Sequence, residues 1–217
     1  MNCLVTAGPT YEKMDQVRRL TNFSTGTLGC ELSAFLANQG HDVLLFLGEQ
    51  AVARPQLHRR QTVEVFGTTA DLRDKMGACS DRPVQAVFHA AAVSDFTFGK
   101  VFSRGPKGEL TEINSGKIST RQGTLLAELL PTPKIIAELR HWFPQARLVG
   151  WKYEVDGDRA AVIRQGAKQL TEYLTDACVA NGPAYGEGHG LIKSATETEH
   201  LETRAALFSA LEQMVRA

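Results

Sequence analysis

The first candidates for chemistry are short polar residues and a glycine that follow the first apolar segment of the chain. Asn22, Ser24, Thr25 and Gly26 lie just before a segment whose leucines recur at helical spacing. The first N–H groups of a helix have no intrahelical partner and carry the positive end of the helix dipole, so this position suits a phosphate. Ser24 or Thr25 would serve equally well as an ordinary N-cap. Neither G-x-G-x-x-G nor G-x-x-x-x-G-K-[ST] is present, so a phosphate site here would belong to another class.

A second candidate cluster closes a buried apolar segment, residues 86–93. Small residues at the carboxyl end of a central strand, here Ala91, Ala92 and Val93, leave room for a flat ligand, although they would equally admit a packed helix. Asp95 favours the ligand, because a carboxylate just past a buried strand needs a partner, a cation or water. His89 in the same segment, like His41, is interpreted as a hydrogen-bonded structural histidine.

Residues 97–116 contain four glycines and a proline without periodicity. This composition predicts a flexible flap beside the crevice. Lys117 ends the flap, where its amine would either swing over a bound polyphosphate or remain a solvated surface charge. Lys152 and Asn181 end two further apolar segments.

The elements that must position these residues alternate between strands and helices. Period and composition predict strands at 3–6, 42–48, 62–66, 86–93, 147–155 and 176–181, with a short edge strand at 191–193. Helices are predicted at 26–38, 69–79, 134–142, 158–175 and 202–215, and residues 124–130 as a strand or a short helical piece. This alternation predicts a single α/β domain, residues 1–217, with a Rossmann-like, mostly parallel sheet covered by helices on both faces. Polar residues after its strands should therefore meet at one edge.

Composition excludes several classes of protein. The chain has 24 basic and 24 acidic residues, which argues against a nucleic-acid surface. No apolar run approaches the length of a membrane span, and no signal peptide precedes the first strand, so we expect a cytoplasmic protein. The four cysteines form no C-x-x-C pair and are predicted to be reduced core thiols.

Five blocks of the sequence resemble the phosphopantothenoylcysteine synthetases, the ligases of coenzyme A biosynthesis, in order and in spacing. They are VTAGPTYEKMDQVRRLTNFSTGTLG, AAAVSDF, KIS, VGWKYEVDGD and ACVAN. The resemblance covers nearly the whole chain and implies a Rossmann-like homodimer without flavin. It also implies a reaction in which a nucleoside triphosphate with Mg²⁺ activates 4′-phosphopantothenate as an acyl-nucleotide, which the amine of L-cysteine then attacks.

The resemblance assigns roles by position. Asn22 matches the asparagine that holds the acyl-nucleotide, and Lys117 matches the flap lysine over the triphosphate; both are expected to be catalytic. Asp95 is expected to contact the ribose or the metal. The remaining positions expected at the nucleotide are Gly8, Ser24, Thr25, Gly26, Ala91, Ala92, Val93, Lys134, Lys152 and Asn181.

In many bacteria the synthetase of this family is fused behind a flavin-dependent decarboxylase. This chain departs from the motifs of those bacterial fusion enzymes at several positions expected near the nucleotide. Gln169 and Tyr173 stand where those enzymes have two lysines, Lys134 stands where they have an aspartate, and Lys152 replaces a small residue. Other motifs resemble the eukaryotic, ATP-using branch. We therefore expect ATP rather than CTP. Lys134 and Lys152 would either supply the displaced positive charge or be ordinary solvated surface lysines.

Two other functions compete with this interpretation. A nicotinamide-dependent reductase could use a similar sheet, but the glycine fingerprint is missing and Glu49 is the only candidate for the acidic residue after the second strand. A non-catalytic nucleotide-binding protein could have kept the fold without the activity.

Overall fold

The computed structural model describes residues 1–56, 58–119, 121 and 123–216, which form thirteen strands and five α-helices. The strands are β1 Asn2–Ala7, β2 Tyr11–Lys13, β3 Arg19–Thr21, β4 Asp42–Gly48, β5 Gln61–Phe66, β6 Ala86–His89, β7 Phe96–Arg104, β8 Leu110–Glu112, β9 Thr124–Pro131, β10 Arg147–Tyr153, β11 Ala177–Asn181, β12 His189–Ile192 and β13 Thr198–Leu201. The helices are α1 Thr27–Asn38, α2 Thr69–Gly77, α3 Ile135–Trp142, α4 Arg159–Tyr173 and α5 Arg204–Arg216.

Eight strands form the central sheet, in the order β13-β12-β11-β10-β6-β1-β4-β5. The six strands from β11 to β5 are parallel, whereas β12 and β13 are antiparallel to their neighbours. The chain winds outward from β1 through β4 to β5, then returns to the other side of β1 with β6. Ligands of such sheets bind at the carboxyl ends of the strands where the winding reverses, which here is between β1 and β6.

Helices cover both faces of the sheet, and this explains the continuous apolar strands. On one face, Leu32 and Leu36 of α1 and Leu207 and Leu211 of α5 belong to one buried cluster with β1, β4 and β11. On the other face, α2 and α3 pack through a second buried cluster, and α4 covers β11 through a third. The predicted α/β fold with a mostly parallel sheet is confirmed. Among the described helices, none has the length and apolarity needed to cross a membrane.

Two small sheets lie outside the central one. Neither sheet was predicted, although β9 agrees with the strand alternative given for residues 124–130. Strands β2 and β3 form a hairpin, and β8, β7 and β9 form an antiparallel sheet that we call the arm. The prediction of irregular structure for residues 97–116 was wrong, because this range contains most of β7 and all of β8. Residues of β9 are mostly exposed, so no alternation of buried and exposed positions marked the arm in the sequence.

The remaining differences concern element ends. Strand β6 ends at His89, four residues before the predicted end, so the alanine segment 90–92 lies beyond the strand. The structure adds β13 as the edge strand outside β12. The four cysteines are buried, as predicted for core residues.

Candidate functional site

Glycines bring the start of α1 onto the carboxyl end of β1. Gly8 and Gly26 both have a positive φ, 82° and 76°, which glycine adopts without a steric penalty. A Cβ on Gly26 would lie 3.2 Å from the Cα of Gly8, and a Cβ on Gly48 would lie 2.4 Å from the carbonyl oxygen of Pro9. The loop after β1 and the ends of α1 and β4 therefore meet without room for side chains.

The start of α1 differs from the predicted N-cap. Gly26 is the N-cap residue, so no side chain serves as the cap in the described structure. Thr25 Oγ1 accepts one hydrogen bond from the N–H of Thr27 at 3.3 Å, and Ser24 is not the cap. The other N–H groups of the first turn remain oriented along the helix axis, where an anion is favoured.

A network of hydrogen bonds joins the segments that follow β1 and β6. Thr6 Oγ1 accepts from the N–H of Ala91 at 3.1 Å, and Thr10 Oγ1 accepts from the N–H of Ser94 at 2.8 Å. Backbone bonds link Thr10 N to Ala92 O at 3.1 Å and Ala92 N to Gly8 O at 3.0 Å. Both threonines are fully buried. They shape the segment 90–95, and sequence reasoning missed them because isolated threonines in strands usually only pack.

Asn22, which follows β3, also joins this network of hydrogen bonds. Its Nδ2 donates to the carbonyl oxygen of Ala92 at 3.2 Å, while the residue stays exposed. Thr21 Oγ1 donates to the carbonyl oxygen of Thr10 at 2.9 Å and so anchors the end of the hairpin. The structure therefore brings together Gly8, Asn22 and the segment 91–95, as predicted from their positions after strands.

A cavity of about 160 Å³ opens beside this segment, between β6, β10, α3 and α4. Its lining residues come from four separate parts of the chain: His89, Ala91, Val93, Ser94, Asp95, Thr132, Pro133, Lys134, Ile135, Ile136, Trp151 and Gln169. The predicted residues Ala91, Val93, Asp95 and Lys134 are among them.

Gln169 is the most unusual residue of the cavity. It is only 6% exposed, and its Nε2 has no hydrogen-bond partner among the described residues. It lies against Gly150, where a Cβ would come within 2.2 Å of Nε2, so the glycine makes room for the amide. The neighbouring Cys178 thiol is a weak acceptor. Burial raises the pKa of that thiol to about 12, and the Gln169 amide lowers it slightly.

His89 lines the same cavity and is uncharged. Its Nδ1 shares a hydrogen bond with Thr6 Oγ1 at 2.9 Å, and burial lowers its pKa to about 4. At neutral pH the ring is therefore uncharged, and the prediction of a hydrogen-bonded structural histidine is confirmed. His41 likewise pairs with Glu212 at 3.0 Å.

Asp95 and Lys134 form an ion pair at the mouth of the cavity. Thr132 N donates to the carbonyl oxygen of Asp95 at 3.0 Å, which ties the loop before α3 to the segment after β6. Both charged side chains are more than half exposed, so the pair is accessible to solvent. An exposed pair of this kind is weak, and a phosphate or a cation can displace either partner.

The other predicted residues lie outside the lining of this cavity. Lys152 and Asn181 do end β10 and β11, but Lys152 Nζ lies 3.5 Å from Glu154 Oε1 and Asn181 Oδ1 is buried without a described partner. Lys117 lies in the segment between β8 and β9, against the tip of the β2–β3 hairpin. The structure therefore does not place Lys117 in contact with the cavity.

Comparison with known proteins points to one family. The family model for the DNA/pantothenate metabolism flavoprotein C-terminal domain matches residues 1–214. The chain is 32% identical over 178 residues to a coenzyme A biosynthesis bifunctional protein CoaBC from Thermococcus kodakarensis, covering 82% of this chain and 40% of that protein. It is 30% identical over 190 residues to the protein of the same name from Bacillus subtilis, covering 87% of this chain and 43% of that protein. The chain thus spans less than half the length of these relatives.

A solved structure extends the similarity to the whole fold. The crystal structure of the DNA/pantothenate metabolism flavoprotein from Streptococcus pneumoniae superposes with a TM-score of 0.86 at 28% identity, covering 100% of this chain and 98% of that one.

Proposed function

The chain belongs to the DNA/pantothenate metabolism flavoprotein C-terminal domain family, and from this premise we propose that it is a ligase that joins 4′-phosphopantothenate to L-cysteine. The family match over residues 1–214 carries the proposal, because it includes both the cavity and the start of α1. Two relatives named for coenzyme A biosynthesis support it.

The reaction needs an activated carboxylate. In the proposed sequence, the carboxylate of 4′-phosphopantothenate attacks the α-phosphorus of a nucleoside triphosphate, and pyrophosphate leaves. The amine of L-cysteine then attacks the acyl carbon, and the nucleoside monophosphate leaves as the amide forms. The mixed anhydride makes the second step possible, because a nucleotide is a far better leaving group than oxide.

The residues at the carboxyl edge support distinct roles in this sequence. Phosphate oxygens would lie at the start of α1, where Gly8 and Gly26 allow close approach and Ser24 and Thr25 offer hydroxyls. The Asn22 amide, held near the Ala92 carbonyl, would orient the acyl-nucleotide. Ala91, Ala92 and Val93 would border the nucleotide.

Magnesium would accompany the triphosphate. The described residues include no group of three or more His, Cys, Asp or Glu side chains that could hold a metal. This fits Mg²⁺, which commonly takes one or two carboxylates together with substrate phosphates and water. Asp95 is the carboxylate at the cavity mouth, and Lys134 would then be released to the phosphates. When bound, Mg²⁺ would neutralise the charge that develops on the leaving pyrophosphate.

We favour ATP as the nucleotide. Gln169, a neutral amide with an unpaired donor, faces the cavity where the resemblance expects a lysine in bacterial fusion enzymes. An amide donor can bond an acceptor nitrogen of either adenine or cytosine, so the preference for ATP rests on the missing lysine and on the motifs that resemble the ATP-using branch. Lys134 and Lys152 supply positive charge near the same edge of the sheet.

An assay of pyrophosphate release tests the proposal. Purified protein is mixed with 4′-phosphopantothenate, L-cysteine and Mg²⁺, with either ATP or CTP. We expect continuous release only when all substrates are present, at most one equivalent per active site without L-cysteine, and a higher kcat/KM for ATP. No release with either nucleotide would overturn the ligase function. Nucleotide binding without release would favour a non-catalytic role, and binding of a nicotinamide dinucleotide would favour a reductase.

A further inference from the structure

The turn between β2 and β3 is closed by one buried carboxylate. The Asp15 side chain is 1% exposed. Its Oδ1 accepts hydrogen bonds from the N–H of Val17 at 2.8 Å and of Arg18 at 2.6 Å. These backbone donors, that of Val17 first, hold the pKa of Asp15 below its usual range, so it is ionised at neutral pH.

The other oxygen of the same carboxylate binds a distant segment. Asp15 Oδ2 accepts from the N–H of Ile118 at 3.2 Å, across 103 positions of sequence, and from Arg18 Nη1 at 3.1 Å. Arg18 Nη2 in turn donates to the carbonyl oxygen of Ile118 at 2.8 Å. Both backbone polar groups of Ile118 are therefore held by one turn.

Gly116, the residue before Lys117, is held by the same turn. Gln16 N donates to the carbonyl oxygen of Gly116 at 2.9 Å, and a Cβ on Gly116 would lie 2.9 Å from the Gln16 side chain. Ile118 is 2% exposed, while Gly116 and Lys117 are exposed. The backbone is thus fixed on both sides of Lys117, and the lysine side chain extends from a fastened segment.

We propose that Asp15 is a positioning residue that fixes Lys117 for catalysis. Asp15, Gln16 and Arg18, with Gly116 and Ile118, form what we call the latch. This inference rests on the proposed function and on the role that the resemblance implies for Lys117, that of a flap lysine over the triphosphate. Ordering a lysine on a free segment costs backbone and side-chain entropy at each turnover, and a latched backbone removes the backbone part before substrate binds.

The variant Asp15→Asn removes the contact with Ile118 while it keeps the turn between β2 and β3 closed. Asparagine keeps one oxygen to accept from Val17 and Arg18, so the hairpin stays closed. Its NH₂ group cannot accept from the N–H of Ile118. We expect kcat to fall at least tenfold with KM for L-cysteine unchanged, the thermal midpoint to fall by only a few degrees, and amide hydrogen exchange at Ile118 to accelerate at least tenfold.

A double-mutant cycle with Lys117→Gln gives the decisive comparison. If Asp15 acts through Lys117, Asp15→Asn should lower kcat no further in the Lys117→Gln background. Asp176→Asn is the matched control, since Asp176 also accepts a backbone N–H, that of Leu148 at 2.7 Å, and lies just before β11, at the end of the sheet opposite to the candidate site. Its kcat should equal that of the unmodified protein.

Two results would overturn the latch while leaving the ligase function standing. One is an unchanged kcat or unchanged Ile118 exchange in Asp15→Asn, and the other is independent, multiplicative losses in the double variant. Absence of pyrophosphate release from the unmodified protein would overturn the proposed function and this role of Asp15 together. Ile118 exchange would still report the contact itself in that case.

Discussion

At the residue scale, three buried polar atoms without partners in the described part of the chain lie near the carboxyl edge of this sheet. Gln169 Nε2, Trp151 Nε1 and Asn181 Oδ1 have no hydrogen-bond partner among the described residues. Each such atom destabilises the folded protein by about 1–3 kcal/mol, the cost of its lost hydration. A ligand that binds two of them would recover part of this free energy, which is consistent with a binding cavity here.

Replacing Gln169 with methionine should therefore affect binding and stability in opposite directions. The side chains have similar volumes, so Gln169→Met removes the unpaired amide without a cavity. We expect the free energy of unfolding in urea to stay equal or to rise by about 1 kcal/mol. KM for the nucleotide should rise about tenfold, the equivalent of one hydrogen bond.

Thr175→Val is the matched control for this prediction. Thr175 is also 6% exposed with an unpaired buried oxygen, but it does not line the cavity. Its replacement should stabilise the protein without changing KM. Equal effects on KM from the two variants, or none from Gln169→Met, would contradict a role for Gln169 in nucleotide binding.

At the scale of elements, close packing of α1 on β1 sets the position of the phosphate-facing helix end. A Cβ on Gly29 would lie 2.5 Å from the Cβ of Ala7, closer than van der Waals contact permits. Only glycine therefore lets α1 lie this near the carboxyl end of β1. The close approach of α1 to β1 therefore depends on the absence of a side chain at Gly29.

The substitution Gly29→Ala should accordingly be destabilising although alanine is the better helix former. We expect the free energy of unfolding to fall by about 1–3 kcal/mol through overpacking. Gly77→Ala in α2 is the control, since its Cβ would meet nothing nearer than 3.6 Å. It should leave stability equal or raise it by up to about 1 kcal/mol. Urea unfolding of the two variants measures the difference, and equal values would refute the packing argument.

The sequence predicted helices and strands well where one of their faces is buried in the core. It predicted them poorly where both faces are exposed. Leu32 and Leu36 in α1 and Leu207 and Leu211 in α5 keep helical spacing because each contacts the core. In β9, leucines stand in adjacent pairs and most positions are exposed, so the strand left no alternation to recognise. The pairing of β7 with β9 is settled by contacts between distant segments, which a local pattern does not contain.

For the whole molecule, the arm raises the question of assembly. Three leucines of β9, at positions 126, 129 and 130, are 41–49% exposed, and Phe96 of β7 is 45% exposed. Leu126 and Leu130 lie on one face of this small sheet, and Leu129 and Phe96 on the other. Exposed apolar side chains grouped in this way typically mark a protein interface. We propose that the arm is the contact between two copies of the chain, in keeping with the homodimer that the sequence led us to expect.

A pair of charge substitutions tests this assembly. Leu126 and Leu130 lie on the same face of β9, because side chains repeat every second residue. We expect the unmodified chain to sediment at twice 23.7 kDa and the variant Leu126→Glu/Leu130→Glu to sediment as a folded monomer. Val65→Glu, on the edge strand β5 of the central sheet and 53% exposed, should remain dimeric. An unmodified chain that sediments at 23.7 kDa would contradict the proposal.

By itself the sequence determined the class of the fold and the edge of the sheet at which most of the candidate site residues lie. Alternating buried strands and amphipathic helices permit few other topologies, and polar residues after parallel strands must share one edge. Only the tertiary structure decided which of those residues meet. It united Thr6, Thr10 and the segment 91–95, left Gln169 unpaired in the cavity, and bound Ile118, the neighbour of Lys117, to Asp15. Such contacts depend on the paths of segments up to 103 residues apart, and these paths follow from packing throughout the chain rather than from local spacing.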